Sequence, residues 1–187
     1  PDVMRPTWFL SILLSAVFLT PLARGESGID VLRYEPVDAA RSRTVPVKIY
    51  RVKADSARPV ILFSHGLGGS RENGAYLAEY WAARGYVAVF MQHPGSDESV
   101  WKEAAPGERF TAMKQAASAR AFLDRLGDIP FVLDQLERWQ AEAGHPLQDA
   151  LDLNHIGMCG HSFGALTTQA MMGQRFPLGK SFPDPRL

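Results

Sequence analysis

Residues 60–63, Val60-Ile61-Leu62-Phe63, form a continuous apolar run, and Tyr86-Val87-Ala88-Val89-Phe90-Met91 forms a second. Short runs like these, rich in branched and aromatic side chains, fit strands buried on both faces, as in the middle of a parallel sheet. Each runs into a turn-rich loop, Ser64-His65-Gly66-Leu67-Gly68-Gly69-Ser70 after the first and His93-Pro94-Gly95-Ser96-Asp97 after the second. A third short strand is expected over residues 154–159, leading into Gly160-His161-Ser162-Phe163-Gly164. Residues 45–52 alternate apolar and polar, as a half-buried strand does, whereas 26–43 supports at most a short edge strand. Helices are expected over 73–84, 111–126 and 165–174, with another capped by Asp128 and running to about residue 143. Strands alternating with helices imply an α/β fold, a mainly parallel sheet flanked by helices on both faces. Ligands on such sheets bind beyond the carboxyl ends of the strands, where both glycine-rich loops lie.

The N-terminus has a different pattern. Met4 and Arg5 precede an apolar run over 8–19, followed by Thr20, Pro21 and Ala23-Arg24-Gly25. This is the pattern of a signal peptide over residues 1–25, cleaved after Gly25, with the folded domain over 26–187. An uncleaved membrane anchor is the alternative, but the run is shorter than the roughly 20 residues of a spanning helix. The expectation is a secreted or periplasmic protein without a stable membrane span after cleavage. Twenty Lys and Arg balance twenty Asp and Glu, which disfavours nucleic acid as a partner. Cys159 is the one cysteine, so no intramolecular disulfide is possible, and no metal-ligand spacing occurs. No metal and no cofactor are expected, and nothing in the sequence sets an oligomeric state.

Gly160-x-Ser162-x-Gly164, between an expected strand and an expected helix, matches a nucleophile elbow. There a sharp turn lifts a serine hydroxyl clear of the sheet, and glycines stand where a Cβ would clash. The alternative is an ordinary glycine-rich turn with a capping serine. The loop after the first apolar run is placed to supply one oxyanion amide, the N–H of Leu67. The N–H of Phe163 supplies the other. A phosphate loop is the competing reading, but the Walker lysine and spacing are absent. A serine nucleophile needs a base and an orienting acid, which in this arrangement follow in the order Ser, Asp or Glu, His. No histidine follows His161, so the triad acid and histidine are expected beyond Leu187.

His161 adjoins Ser162 too closely for good proton-transfer geometry and is read as structural. His65, Gly66 and His93 are candidate substrate-binding residues, although loop-shaping roles for the two histidines compete. His145 and His155 sit in or beside turns as surface groups, and Cys159 is read as a small buried thiol. Asp184 lies in a proline-flanked turn and is left out of the triad. Residues 99–110, with Trp101, either line an acyl pocket or form a plain surface loop. A parallel sheet ending here would leave an open strand edge, so the chain is read as C-terminally truncated.

Three blocks, Phe63-Ser64-His65-Gly66-Leu67-Gly68-Gly69, Gln92-His93-Pro94-Gly95-Ser96-Asp97 and Gly160-His161-Ser162-Phe163-Gly164-Ala165, resemble one branch of the α/β-hydrolases. That branch contains the plasma-type platelet-activating-factor acetylhydrolases and bacterial predicted dienelactone hydrolases. The resemblance covers about residues 45–187. It implies a Ser162 nucleophile, oxyanion amides at Leu67 and Phe163, and a metal-independent esterase acting on acyl esters, often with short acyl chains. It also implies that a segment like residues 184–187 leads into the next strand, with the catalytic acid after it. Dienelactone hydrolases proper use a cysteine where Ser162 stands, so that label says little about substrate. The expectation is a secreted serine carboxylic-ester hydrolase taking small-molecule or lipid esters, with a role in lipid degradation. This chain alone is expected to be inactive. The alternatives are an inactive fragment or binding module that kept the scaffold, or an acyltransferase.

Overall fold

In the computed structural model, residues 28–176 and 180–187 are described. The elements run β1 (Ile29–Tyr34), β2 (Val37–Asp38), β3 (Arg43–Thr44), β4 (Val47–Val52), β5 (Arg58–Ser64), α1 (Ala75–Ala82), β6 (Val87–Met91), α2 (Ser99–Lys102), α3 (Arg109–Ala116), α4 (Ala119–Ala141), β7 (Leu151–Gly160) and α5 (Phe163–Met171). Five strands form one sheet in the order β1-β4-β6-β5-β7, and β2 and β3 form a small separate ladder. β4 runs antiparallel to both neighbours, while β6, β5 and β7 are mutually parallel. Four of the five strands therefore point the same way. Among the described residues, β7 has β5 on one side and no strand on the other.

The continuous apolar runs are explained by burial on both faces. Val87, Val89 and Met91 of β6 pack with Val60 and Leu62 of β5 against Ile129, Leu133 and Leu136 of α4. Ala88 and Phe90 of β6 point the other way and pack with Tyr50 and Phe63 against Ala78 and Ala82 of α1. Side chains alternate along a strand, so a strand covered on both faces must be apolar at every position.

The two helices expected over 111–126 and from Asp128 onward are instead α3 and a single long α4. The start of α4 is Ser118, whose Oγ accepts a 3.1 Å bond from the Ala121 N–H. Asp128 is therefore not a cap but lies in mid-helix, two residues before an interior proline, Pro130. An interior proline costs about 3 kcal/mol. The buried stripe of Ile129, Val132, Leu133 and Leu136 crosses it without a break. At about 1.5–3 kcal/mol for each buried aliphatic side chain, the stripe outweighs the proline. β7 is also longer than expected. Its pairing with β5 jumps from Pro59–Asp152 to Val60–Ile156, so residues 153–155 bulge out of register.

The expected signal peptide over 1–25 lies outside the described residues. Among the described residues, no helix is long and apolar enough to cross a membrane.

Candidate active site

β5 and β7 bring the two glycine-rich segments together. Their last residues, Ser64 and Gly160, are register partners in the parallel ladder. Beyond them, the His161 N–H donates to the Ser64 carbonyl at 3.1 Å, and the Gly164 N–H donates to the His161 carbonyl at 2.8 Å. Ser162 stands at the tip of this turn, exposed, with φ 52° and ψ −113°. Such a backbone is strained for any residue with a Cβ. Ser162 immediately precedes α5, yet its side chain makes no capping hydrogen bond. An ordinary capping serine would spend its hydroxyl on the helix end, so the capping alternative fails here.

The flanking glycines are required by contact. A Cβ on Gly160 would lie 2.4 Å from the Gly164 carbonyl carbon and oxygen, and one on Gly164 would lie 1.9 Å from the Ser64 oxygen. Gly66 packs on the same turn, where a Cβ would meet His161 Nδ1 at 2.8 Å.

The β5–α1 loop is tied down from several sides. The Gly68 N–H donates to the Ser96 carbonyl at 2.9 Å, the Gly69 N–H to the Gly66 carbonyl at 3.0 Å, and Trp101 Nε1 to the Gly68 carbonyl at 2.8 Å. Gly68 has φ +72°, and a Cβ there would strike Met113 Cε at 2.6 Å. Among the described residues, neither the Leu67 N–H nor the Phe163 N–H has a hydrogen-bond acceptor. A cavity of about 540 Å³ opens between this loop, Tyr76 and Leu77 of α1, and Gly160 and His161 of the turn. A second cleft, about 630 Å³, is walled by Leu67, Trp101, Phe110 and Met113, with Arg109 and Lys114 beside them. Part of the 99–110 segment thus lines a cleft, and Leu67 borders both spaces.

Under the loop lies a buried polar network that sequence reasoning missed. His93 is fully buried; its Nε2 is 2.9 Å from Ser64 Oγ and its Nδ1 is 2.9 Å from Asp128 Oδ2. Arg43 makes two bonds to the Asp128 carboxylate, at 2.7 and 2.9 Å, and Arg41 a third at 2.9 Å. Burial pushes the His93 pKa down, against the pull of Asp128. The ring is therefore neutral, with Nδ1–H donating to Asp128 and Nε2 accepting from the Ser64 hydroxyl. Burial raises the Asp128 pKa, but the bonds from His93 and Arg43 outweigh it and hold the carboxyl below its usual range. Ser64, His93 and Asp128 have the connectivity of a catalytic triad, but all three are 0% exposed, so no substrate reaches Ser64.

The expected role of His93 in binding substrate is therefore corrected, since both ring nitrogens are occupied inside the core. His65 does border the cavity, but its nitrogens are also committed. Nδ1–H donates to the Gly66 carbonyl at 2.6 Å, and Nε2 accepts the His93 N–H at 3.0 Å. Burial, with His93 and Arg125 nearby, pushes its pKa down to about 3. His65 acts as a loop anchor in its neutral form, and Gly66 contributes backbone to the cavity wall. Of the other histidines, His155 pairs with Asp152 at 2.7 Å, His145 stacks on Trp139, and His161 is exposed. No described histidine hydrogen-bonds Ser162. Asp184 is engaged by Arg186, at 2.9 and 2.8 Å. Cys159 bonds to the Leu62 carbonyl, and burial pushes its thiol up to about 11, which keeps it protonated and unreactive.

Comparison with known proteins agrees with this architecture. The family model described as platelet-activating factor acetylhydrolase, isoform II, matches residues 39–115, a stretch that holds the β5–α1 loop and ends before Ser162. A ferulic acid esterase from Streptomyces cinnamoneus superposes with a TM-score of 0.58 at 21% identity, covering 78% of this chain and 54% of its own. A protein designated a dienelactone hydrolase from Klebsiella pneumoniae subsp. pneumoniae gives a TM-score of 0.51 at 17% identity, covering 73% of this chain and 51% of its own. The acylaminoacyl peptidase of Pyrococcus horikoshii gives 0.50 at 20% identity, covering 78% of this chain and 21% of its own. No curated protein matches the chain. The chain spans about half the length of the first two structures. The fold is that of the α/β-hydrolases. Within it, residues 39–115, less than half of the chain, are similar to the platelet-activating factor acetylhydrolase family.

Proposed function

We propose that the full-length protein is a serine carboxylic-ester hydrolase that forms an acyl-enzyme at Ser162. The observation that carries this reading is the exposed Ser162, with φ 52° and ψ −113°, on a strand-to-helix turn whose glycines admit no side chain. A strained backbone persists only where its surroundings enforce it, and such enforcement clusters at reactive positions.

In this mechanism Ser162 Oγ attacks the acyl carbonyl while a histidine takes its proton. The carbonyl oxygen becomes negative and is held by the free N–H groups of Leu67 and Phe163. Each such donor is worth about 3–4 kcal/mol of barrier. The intermediate collapses, the alcohol leaves with the proton from the histidine, and water then releases the acid and restores Ser162. The histidine and its acidic partner are assigned to sequence after Leu187. The apolar cleft beside Leu67, with Trp101, Phe110 and Met113, suits the acyl part of a small-molecule or lipid ester. A signal peptide over residues 1–25 would direct the protein to the periplasm or medium.

One observation favours a second reading, an inactive scaffold kept for binding: none of the five histidines bonds Ser162. Ester hydrolysis by the full-length protein separates the two. On p-nitrophenyl esters, Ser162→Ala is expected to lower kcat/KM by at least about a thousandfold. Full activity in that variant refutes the proposal. Competing alcohols as acyl acceptors distinguish hydrolysis from acyl transfer.

A further inference from the structure

Arg125 projects from α4 into the core and is 0% exposed. Burial lowers its pKa to about 10, so it stays charged at neutral pH. A buried cation usually faces a carboxylate. Among the described residues none lies within ion-pair distance of Arg125, because Asp128 is taken by Arg41, Arg43 and His93. Its hydrogen bonds go to neutral oxygens. Nε donates to Ser96 Oγ at 2.8 Å, and Nη1 to the His65 carbonyl at 2.6 Å and to Ser64 Oγ at 3.4 Å. Nη2 donates to the Ser96 carbonyl at 3.3 Å and to the Gly66 carbonyl at 3.4 Å. A hydrophobic side chain would fill this space without desolvating a charge. The work of the guanidinium is therefore to gather these oxygens.

The peptide geometry gives that gathering a consequence. The Gly66 carbonyl and the Leu67 N–H belong to one planar trans peptide and point in opposite directions. Arg125, His65 Nδ1 and the Gly69 N–H all bond to the Gly66 oxygen, so the Leu67 N–H is turned away from the core. The guanidinium carbon also lies 4.5 Å from the centroid of the Phe163 ring. One buried cation thus bonds to the carbonyl of the Gly66–Leu67 peptide and lies against the Phe163 ring, next to two amides that have no acceptor among the described residues.

We propose that Arg125 is a positioning residue, which fixes the Gly66–Leu67 peptide and seats Phe163 so that both amides converge on the oxyanion. The inference rests on the Ser162 reading above. The test compares Arg125→Gln and Arg125→Lys with wild type in the full-length protein. Kinetics on a p-nitrophenyl ester are combined with 15N-resolved amide spectra. Removing the fork is expected to lower kcat about a hundredfold, with KM within about threefold, since the donor acts on the transition state. Arg125→Lys keeps the charge but not the planar fork and recovers only part of that loss. The pH dependence of kcat/KM should keep its wild-type shape, because no proton-transfer group changes. The Leu67 amide resonance should shift, and its hydrogen exchange should quicken, in both variants. If Arg125→Gln does not fold, Arg125→Lys decides alone. A folded variant with wild-type kcat, or with an unmoved Leu67 amide, overturns the proposal. If wild type itself lacks esterase activity, the Ser162 reading fails, and the Leu67 amide still decides whether Arg125 sets the loop.

Discussion

A Cβ on Gly164 would sit 1.9 Å from the carbonyl oxygen of Ser64, well inside van der Waals contact with the backbone at the end of β5. The first turn of α5 is pressed directly onto the end of β5, which is what holds the Ser162 turn against the β5–α1 loop. Gly164→Ala must push α5 off the sheet. Overpacking against side chains typically costs 1–3 kcal/mol, and a backbone clash should reach or exceed about 3. Gly157 lies in the same strand as Gly160, but a Cβ there would meet nothing within 4 Å. Gly157→Ala should therefore stay within about 0.5 kcal/mol of wild type. Urea unfolding of the two variants checks the contrast.

The Ser162 backbone gives a second expectation. At φ 52° and ψ −113°, a residue with a Cβ stores about 1–3 kcal/mol of strain that glycine does not. Both Ser162→Ala and Ser162→Gly remove the hydroxyl, but only glycine relaxes the turn. After allowing for the greater unfolded-state freedom of glycine, Ser162→Gly should be the more stable of the two by about 1 kcal/mol. Thermal unfolding that ranks alanine above glycine would contradict the strain.

Acid should destabilise the fold through its buried histidines before carboxylates titrate. His65 has its folded-state pKa depressed from 6.5 to about 3 by burial, and that of His93 is depressed for the same reason. Both are neutral in folded and unfolded chains above pH 6.5, so their contribution there is constant. Below pH 6.5 the unfolded chain binds protons that the folded chain refuses. Stability therefore falls as pH drops from about 6.5 toward 3, by up to about 1.4 kcal/mol per pH unit per histidine. Urea midpoints measured from pH 7 to pH 4 should show this slope, and His65→Gln should reduce it. A flat profile between pH 6.5 and 5 would contradict the neutral, buried state of both rings.

The parts of this molecule that are legible in the sequence are those governed by local pattern. β5 and β6 follow from unbroken apolar runs, and the turn at Ser162 follows from glycines spaced around a serine between a strand and a helix. α4 is obscured because Gly127 and Pro130 imitate a helix boundary, which makes Asp128 resemble a cap. That split hides Arg125 and Asp128, two charges set into the buried face of one helix, which are the available signal for an interior network. The partners of Asp128 come from β3, the turn before it and the loop after β6, a convergence created only by the tertiary fold. His93 illustrates the consequence. Its place at a strand end suggests a pocket wall, but Ser64 and Asp128 draw it into the core.

The most direct measurement is to treat the full-length protein with a fluorophosphonate and map the adduct by peptide mass spectrometry. The account predicts a single modified residue, Ser162, with labelling abolished in Ser162→Ala. Labelling at another serine, or a folded protein that takes up no label, would contradict it.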